Sequence, residues 1–208
     1  MRALATIVLM TIVWCLASPP AAAKSKVSTG RKFRIVLNGG YSMQAFGGVA
    51  GANRSQINHL QYGAGIFYRY RLWENGLAYS HIPGVKVDPF VFRNGTRGQY
   101  QMDFTRTEFL SGLAYGRFRL YALVGLEQIG WKGTPDLGAK SNNHVYFGGE
   151  AVVDFFPFRQ GSRFSIPFSI RYLTHQERKV EFEQNPSENV TVSPGSETAV
   201  NLGVAVAF

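Results

Sequence analysis

From Val200 to Phe208 every second residue is large and apolar: Val200, Leu202, Val204, Val206 and Phe208. Asn201, Gly203, Ala205 and Ala207 fill the places between. Side chains on an extended chain point alternately to opposite faces, so this run is a strand with one apolar face and one face of small or polar groups. The same two-residue period returns along the chain. A sequence of this kind folds as a sheet that is greasy on one side only.

Seven further strands follow from that period. The first sets Phe33, Ile35, Leu37, Tyr41 and Met43 against Arg34, Asn38, Ser42 and Gln44. The second sets Leu60, Tyr62, Ala64, Ile66, Tyr68 and Tyr70 against His59, Gln61, Gly63, Gly65, Phe67 and Arg69. The third, residues 77–82, is weaker because Pro83-Gly84 follows at once, and a sheet tolerates proline only at an edge or a bulge. In the fourth, residues 99–115, the apolar parity changes from Tyr100, Met102 and Phe104 to Phe109, Leu113 and Tyr115. That change predicts a β-bulge near residues 105–107.

The fifth strand sets Leu120, Ala122, Val124 and Leu126 against Arg119, Tyr121, Leu123, Gly125 and Glu127. The sixth sets Val145, Phe147, Ala151, Val153 and Phe155 against His144, Tyr146, Gly148, Glu150 and Asp154. The seventh sets Phe164, Ile166, Phe168, Ile170 and Tyr172 against Ser165, Pro167, Ser169, Arg171 and His175. Short connections (residues 71–75, 116–117 and 156–162) alternate with long ones (47–58, 83–98, 130–142 and 183–195).

Charge follows the same parity. Arg34, Arg69, Arg106, Glu108, Arg119, Glu127, Glu150, Asp154 and Arg171 all fall opposite the apolar face of their strands. If that apolar face meets lipid, a cation placed on it at the midplane costs roughly 2–4 kcal/mol, so these nine belong inside. Eight strands enclose only enough space for their own side chains, which predicts an ion-paired plug with no open pore. Within it Arg106 and Glu108, with Glu127 and Glu150 on the next two strands, are the expected members. Gly63, Gly65, Gly112, Gly125 and Gly148 are expected to leave room for them.

The amino-terminus reads as a secretory signal: Met1-Arg2, an apolar stretch to Leu16, the breaker Ser18-Pro19-Pro20, and Ala21-Ala22-Ala23 as the cleavage site. Residues 1–23 are therefore excluded from the fold, residues 24–31 form a disordered lead, and residues 32–208 form one domain. Cys15, the single cysteine, follows Trp14, too large for a lipidation site, and leaves with the signal. No stretch of the remainder approaches the roughly 20 apolar residues of a membrane helix. The formal charge of +9 fits phosphates of an envelope lipid, or a merely solvated basic surface. The sequence contains no metal cluster, phosphate-binding glycine loop or nucleic-acid repeat, so no cofactor, metal or nucleic-acid partner is expected, and no catalytic residue is assigned.

The Phe208-terminated strand and the runs Tyr62-Gly63-Ala64-Gly65-Ile66-Phe67-Tyr68 and Phe147-Gly148-Gly149-Glu150 resemble the small eight-stranded outer-membrane barrels, the family of the outer-membrane protein A membrane domain and outer-membrane protein X. The resemblance covers the mature chain as architecture. It implies a closed antiparallel up-and-down barrel, monomeric, in the bacterial outer membrane, with both termini periplasmic and short turns on that side. It also implies an assembly signal at Val200, Leu202, Val204, Val206 and Phe208, read by the barrel-assembly machinery, and contact with outer-membrane lipid and lipopolysaccharide.

Two roles fit. One is a non-enzymatic envelope or surface protein. Two hairpins, flanking Asn94-Gly95 and Asn185-Pro186, would project outward, either to take up an extracellular protein by strand addition or simply as extended loops. The alternative is a lipopolysaccharide-modifying enzyme, similar to the lipid A deacylases. Ser80 and His81 are adjacent and so point to opposite faces. His81 also lacks the His-x-Ser order of those enzymes, and His144 and His175 are expected near solvated strand ends. A soluble lipocalin-type barrel would require a polar exterior, which this parity does not provide.

Overall fold

The computed structural model describes residues 31–47, 55–91, 97–134, 138–141, 143–156, 163–176, 178–184 and 190–208. The expected signal, the lead up to residue 30 and the hairpin tips at Asn94-Gly95 and Asn185-Pro186 lie outside them. Ten strands are present: β1 (Phe33–Gly47), β2 (Ser55–Tyr70), β3 (Trp73–Val91), β4 (Arg97–Tyr115), β5 (Phe118–Thr134), β6 (Ala139–Ser141), β7 (His144–Phe155), β8 (Phe164–His175), β9 (Arg178–Phe182) and β10 (Val190–Ala207). Eight of them pair in the order β1-β2-β3-β4-β5-β7-β8-β10, all antiparallel, and β10 returns to β1 from Arg34↔Ala207 to Gly47↔Ser193. The sheet is thus closed. Closure pairs backbone groups around the whole circumference, which a sheet in lipid requires.

One end of this barrel is tied by tight turns at Arg71-Leu72 and Gly116-Arg117, with positive φ at Arg71 (59°) and Gly116 (59°). The chain ends meet there too, since Phe33 and Phe208 exchange backbone hydrogen bonds of 3.3 and 2.9 Å. At the opposite, loop end the strands run on past the closed part. There β9 pairs with β10 (Val190↔Val180) and β6 with β9 (Ala139↔Phe182), extending the sheet by two short strands.

Exposed and buried residues alternate along the barrel strands. Leu37, Ile66, Leu77, Leu120, Leu202 and Val204 are all more than half exposed on the outer wall. Trp73, Tyr115 and Phe118 border this band at the turn end; Tyr41, Tyr79 and Phe147 border it toward the loop end. A continuous exposed apolar belt edged by aromatic rings is a bilayer-facing surface. No helix among the described residues is long and apolar enough to cross a membrane.

Two expectations are corrected here. The third strand is not confined to residues 77–82: it begins at Trp73 and runs through Pro83-Gly84 to Val91. The turn before it is accordingly only Arg71-Leu72. The irregularity expected at residues 105–107 lies on β3 instead, where the register with β4 shifts between Ile82 and Val85 and again between Val87 and Phe90. Along β4 the pairing with β5 is unbroken from Gln99↔Thr134 to Tyr115↔Phe118. Met102 and Phe104 are buried inside on the same parity as Arg106 and Glu108. The apparent slip is a change in what fills the lumen, from charged to apolar, with no change of face.

Candidate functional site

Among the described residues, the lumen is where charged side chains concentrate away from water. Nearest the turn end, Arg34 Nη2 donates to Glu74 Oε1 at 2.8 Å and to the Tyr121 hydroxyl at 2.9 Å. Arg119 Nε lies 3.3 Å from Glu74, its Nη1 donates to Asp154, and Tyr121 donates to Glu74. The guanidinium of Arg34 also lies over the Phe67 ring, 4.7 Å from its centroid. Phe67 lies where it does because Gly76 leaves the space: a Cβ there would overlap the ring. Two arginines and two acids make this layer neutral.

In the next layer Arg171 Nη1 spans both oxygens of Glu108 at 2.8 Å each, and its Nη2 donates to Glu150 at 2.9 Å. The Tyr146 hydroxyl donates to Glu108 at 2.6 Å. Its ring fills the space left by Gly125. Of the five glycines expected to make room for charges, Gly125 and Gly65 make room for the Tyr146 and Phe67 rings, whereas Gly63, Gly112 and Gly148 lie against the backbone of the neighbouring strand.

The layer closest to the loop end centres on Arg106, which is 0% exposed. Its Nε donates to Glu127 at 2.6 Å, and its two terminal nitrogens grip Glu197 at 2.9 and 2.6 Å. A two-pronged guanidinium–carboxylate pair of this kind fixes orientation as well as charge. Ser42 donates to Glu197 at 2.5 Å, and His175 Nε2 lies 3.1 Å and His59 Nε2 3.9 Å from the same carboxylate. Above this layer Ile82, Val85, Met102, Phe104 and Ile129 are buried together and make an apolar lid. A cavity of about 30 Å³ near Arg34, Phe67, Glu150 and Arg171 has room for a water molecule, not for a channel.

Of the nine charged residues read from the sequence, Arg34, Arg106, Glu108, Arg119, Glu127, Glu150, Asp154 and Arg171 are buried in these layers. Arg69 is not: it sits at the turn-end rim, donating to the Arg71 and Ala114 carbonyls at 2.9 and 2.7 Å. Arg106 does not pair with Glu108, its neighbour two residues along the same strand; each reaches across the lumen instead. Glu74 and Glu197 were missed, because one follows a turn by a single residue and the other precedes the clear alternation of β10. Inside, four arginines face six carboxylates, where five and four were expected. His144 and His175 are not at solvated ends: His144 is 6% exposed, and the His175 side chain is fully enclosed beside Glu197.

Val200, Leu202, Val204 and Phe208 are exposed on the outer wall of β10, with Val206 partly so. His81 is on the outer wall as well, its Nδ1 3.4 Å from Thr105 Oγ1, while Ser80 is buried on the inner face. Among the described residues no group of three metal-ligating side chains comes together.

No protein-family profile and no curated protein matches the sequence. Among solved structures, Neisserial surface protein A (NspA) superposes with a TM-score of 0.53 at 13% identity, covering 85% of this chain and 97% of that one. Ail, the attachment invasion locus protein of Yersinia pestis, gives 0.42 at 12% identity over 85% and 99%. A major outer membrane protein from Thermus thermophilus gives 0.39 at 11% over 86% and 100%. The fold is that of the small outer-membrane barrels: eight antiparallel strands, closed.

Proposed function

We propose that the protein is a non-porous surface barrel of the bacterial outer membrane, with both termini in the periplasm and its working part in the sheet beyond the membrane. The observation that supports this is the filled lumen, in which Arg106 is paired with Glu127 and Glu197 beside buried Ile82, Met102 and Phe104. The short-turn and long-loop asymmetry supports the orientation. Lipopolysaccharide around the outer wall, and assembly machinery engaging the β10 face from Val200 to Phe208, belong to the same reading. Planar-bilayer recording tests it: the purified barrel gives no conductance steps, and a stable channel in the wild type removes the proposal.

Strand addition is the partner mode that the pairing favours. The β2–β3 ladder stops at Tyr62↔His81, and no pairing joins β2 to β3 beyond it among the described residues. On the β3 side the free stretch carries Pro83, two register shifts, Lys86 and Pro89, which are devices that blunt an edge. Residues 55–61 of β2 carry none of them and pair with β1 without a break. An extended peptide would therefore add to β2. Amide hydrogen exchange with a bound extracellular protein checks this: protection gained on other strands but not on residues 55–61 excludes it.

A second reading, a lipid-modifying hydrolase, rests on His81 beside Thr105 at the outer border of the apolar belt. Its test is fatty-acid release from lipopolysaccharide by the purified barrel. Release that disappears in His81→Ala would put this reading first.

A further inference from the structure

The lumen and the exterior differ in sign. Of the 21 basic and 13 acidic residues after the expected signal (Arg2 left out of the 22), the lumen takes four and six, leaving seventeen basic against seven acidic elsewhere. By chain position those seven acids fall at 88 and 103, at 136, or from 177 to 188; the described ones, Asp88, Asp103, Glu181 and Glu183, are at the loop end. Among the described residues, the turn end has none outside the lumen. It carries Arg31, Lys32, Arg69, Arg71, Arg117 and Arg163, of which Lys32, Arg71, Arg117 and Arg163 are exposed.

These cations stand among exposed aromatic side chains: Tyr70, Trp73, Tyr115, Phe118 and Phe164 are each roughly half exposed or more. The Arg71 guanidinium lies 5.4 Å from the Tyr70 ring centroid, and that of Arg117 lies 5.8 Å from Phe156. Rings at the border of the apolar belt sit at the depth of lipid headgroups, so guanidinium groups laid over them are held at that depth. The collar is also spread around the perimeter: Lys32 before β1, Arg71 between β2 and β3, Arg117 between β4 and β5, and Arg163 before β8. A compact soluble anion would meet one of these at a time; a leaflet meets all of them.

Resting on the membrane-barrel reading above, we propose that the turn end is a docking surface for anionic phospholipid headgroups, with the arginine collar taking their phosphates and the aromatic rings seating the adjoining chains. Guanidinium suits this ligand because its fixed fork of donors matches phosphate oxygens. The loop end, where basic and acidic groups are mixed, makes no such selection.

Trp73, on the outer wall at the turn end, is a reporter in place. Trp131→Phe makes it the single tryptophan after residue 23. The barrel is folded into phosphatidylcholine vesicles containing either brominated phosphatidylglycerol or brominated phosphatidylcholine at equal fraction, and Trp73 quenching is compared. The expected result is a preference for phosphatidylglycerol of about three- to tenfold at low salt, falling as salt rises. Arg71→Gln with Arg117→Gln and Arg163→Gln removes that preference; Lys86→Gln with Lys132→Gln and Lys140→Gln keeps it.

Equal quenching by the two lipids in a barrel that still shows heat-modifiable gel mobility overturns the inference alone, as does a preference that survives the arginine changes. A chain without that mobility, and with Trp73 insensitive to both lipids, overturns the membrane reading and this inference with it.

Discussion

The two halves of the lumen are filled differently: ion pairs run through one, and the other is mainly apolar on β3, β4 and β5. Toward the turn end ion pairs are set among buried apolar side chains: Arg34, Arg119 and Arg171 meet Glu74, Asp154, Glu108 and Glu150 beside Leu110, Leu123, Val152 and Leu173. Toward the loop end, above Arg106, the contents are Ile82, Val85, Met102, Phe104 and Ile129. The outer wall has no such freedom, since lipid accepts no charged side chain across the belt at low cost. What faces inward need only fill space and leave no charge unpaired, and either solution does so.

The largest break in this comparison is Arg106→Ala at the junction of the two halves. It leaves Glu127 and Glu197 buried without their cation and should cost about 3–5 kcal/mol, read as a shift in the urea midpoint of unfolding from detergent. Adding Glu197→Gln should recover part of that loss, because the two positions share one contact. Phe104→Ala in the apolar half should cost about 3 kcal/mol through the cavity it opens beside His59, whose ring stacks 6.3 Å away. The same denaturation reads it. A cost near zero there would mean that the lid is not part of the cooperative unit.

Arg69→Gln should cost under about 1 kcal/mol, since it loses hydrogen bonds to two carbonyls at a partly solvated rim and orphans no acid. A cost like that of Arg106 would place Arg69 in the ionic half after all.

The smallest effect is local and depends on pH. At the β3 bulge the Gly84 amide donates to Asp103 Oδ1 at 2.6 Å, and Lys132 Nζ lies 3.3 Å from Oδ2. The Gly84 hydrogen bond first, then the hydrogen bond and charge of Lys132, outweigh partial burial and hold the Asp103 carboxyl below its ordinary value. A carboxyl lowered in the folded state stabilises it fully above about pH 4 and loses that contribution as pH falls through the lowered value. The Gly84 amide resonance should move in that acid range, and Asp103→Asn should flatten the titration.

Much of the site could be read in the chain. In β5, β7 and β8 the apolar parity is unbroken, and Arg119, Glu127, Glu150, Asp154 and Arg171 are inside the closed sheet where that parity places them. In β4 the reading failed at Met102 and Phe104, because a strand apolar on both faces no longer shows which face is which. Glu74 escaped because the turn before it is shorter than its polar residues imply, and Glu197 because β10 begins well before its alternation becomes clear.

A strand's pleat repeats every two residues and is written locally, so the sequence alone determined which side chains share a face and that one face suits lipid. Partners across a lumen depend on how far each strand is staggered against the next around the whole ring. Tertiary structure alone therefore decided that Arg106 meets Glu197, 91 positions away, that Arg171 takes Glu108, and that Arg69 stays at the rim.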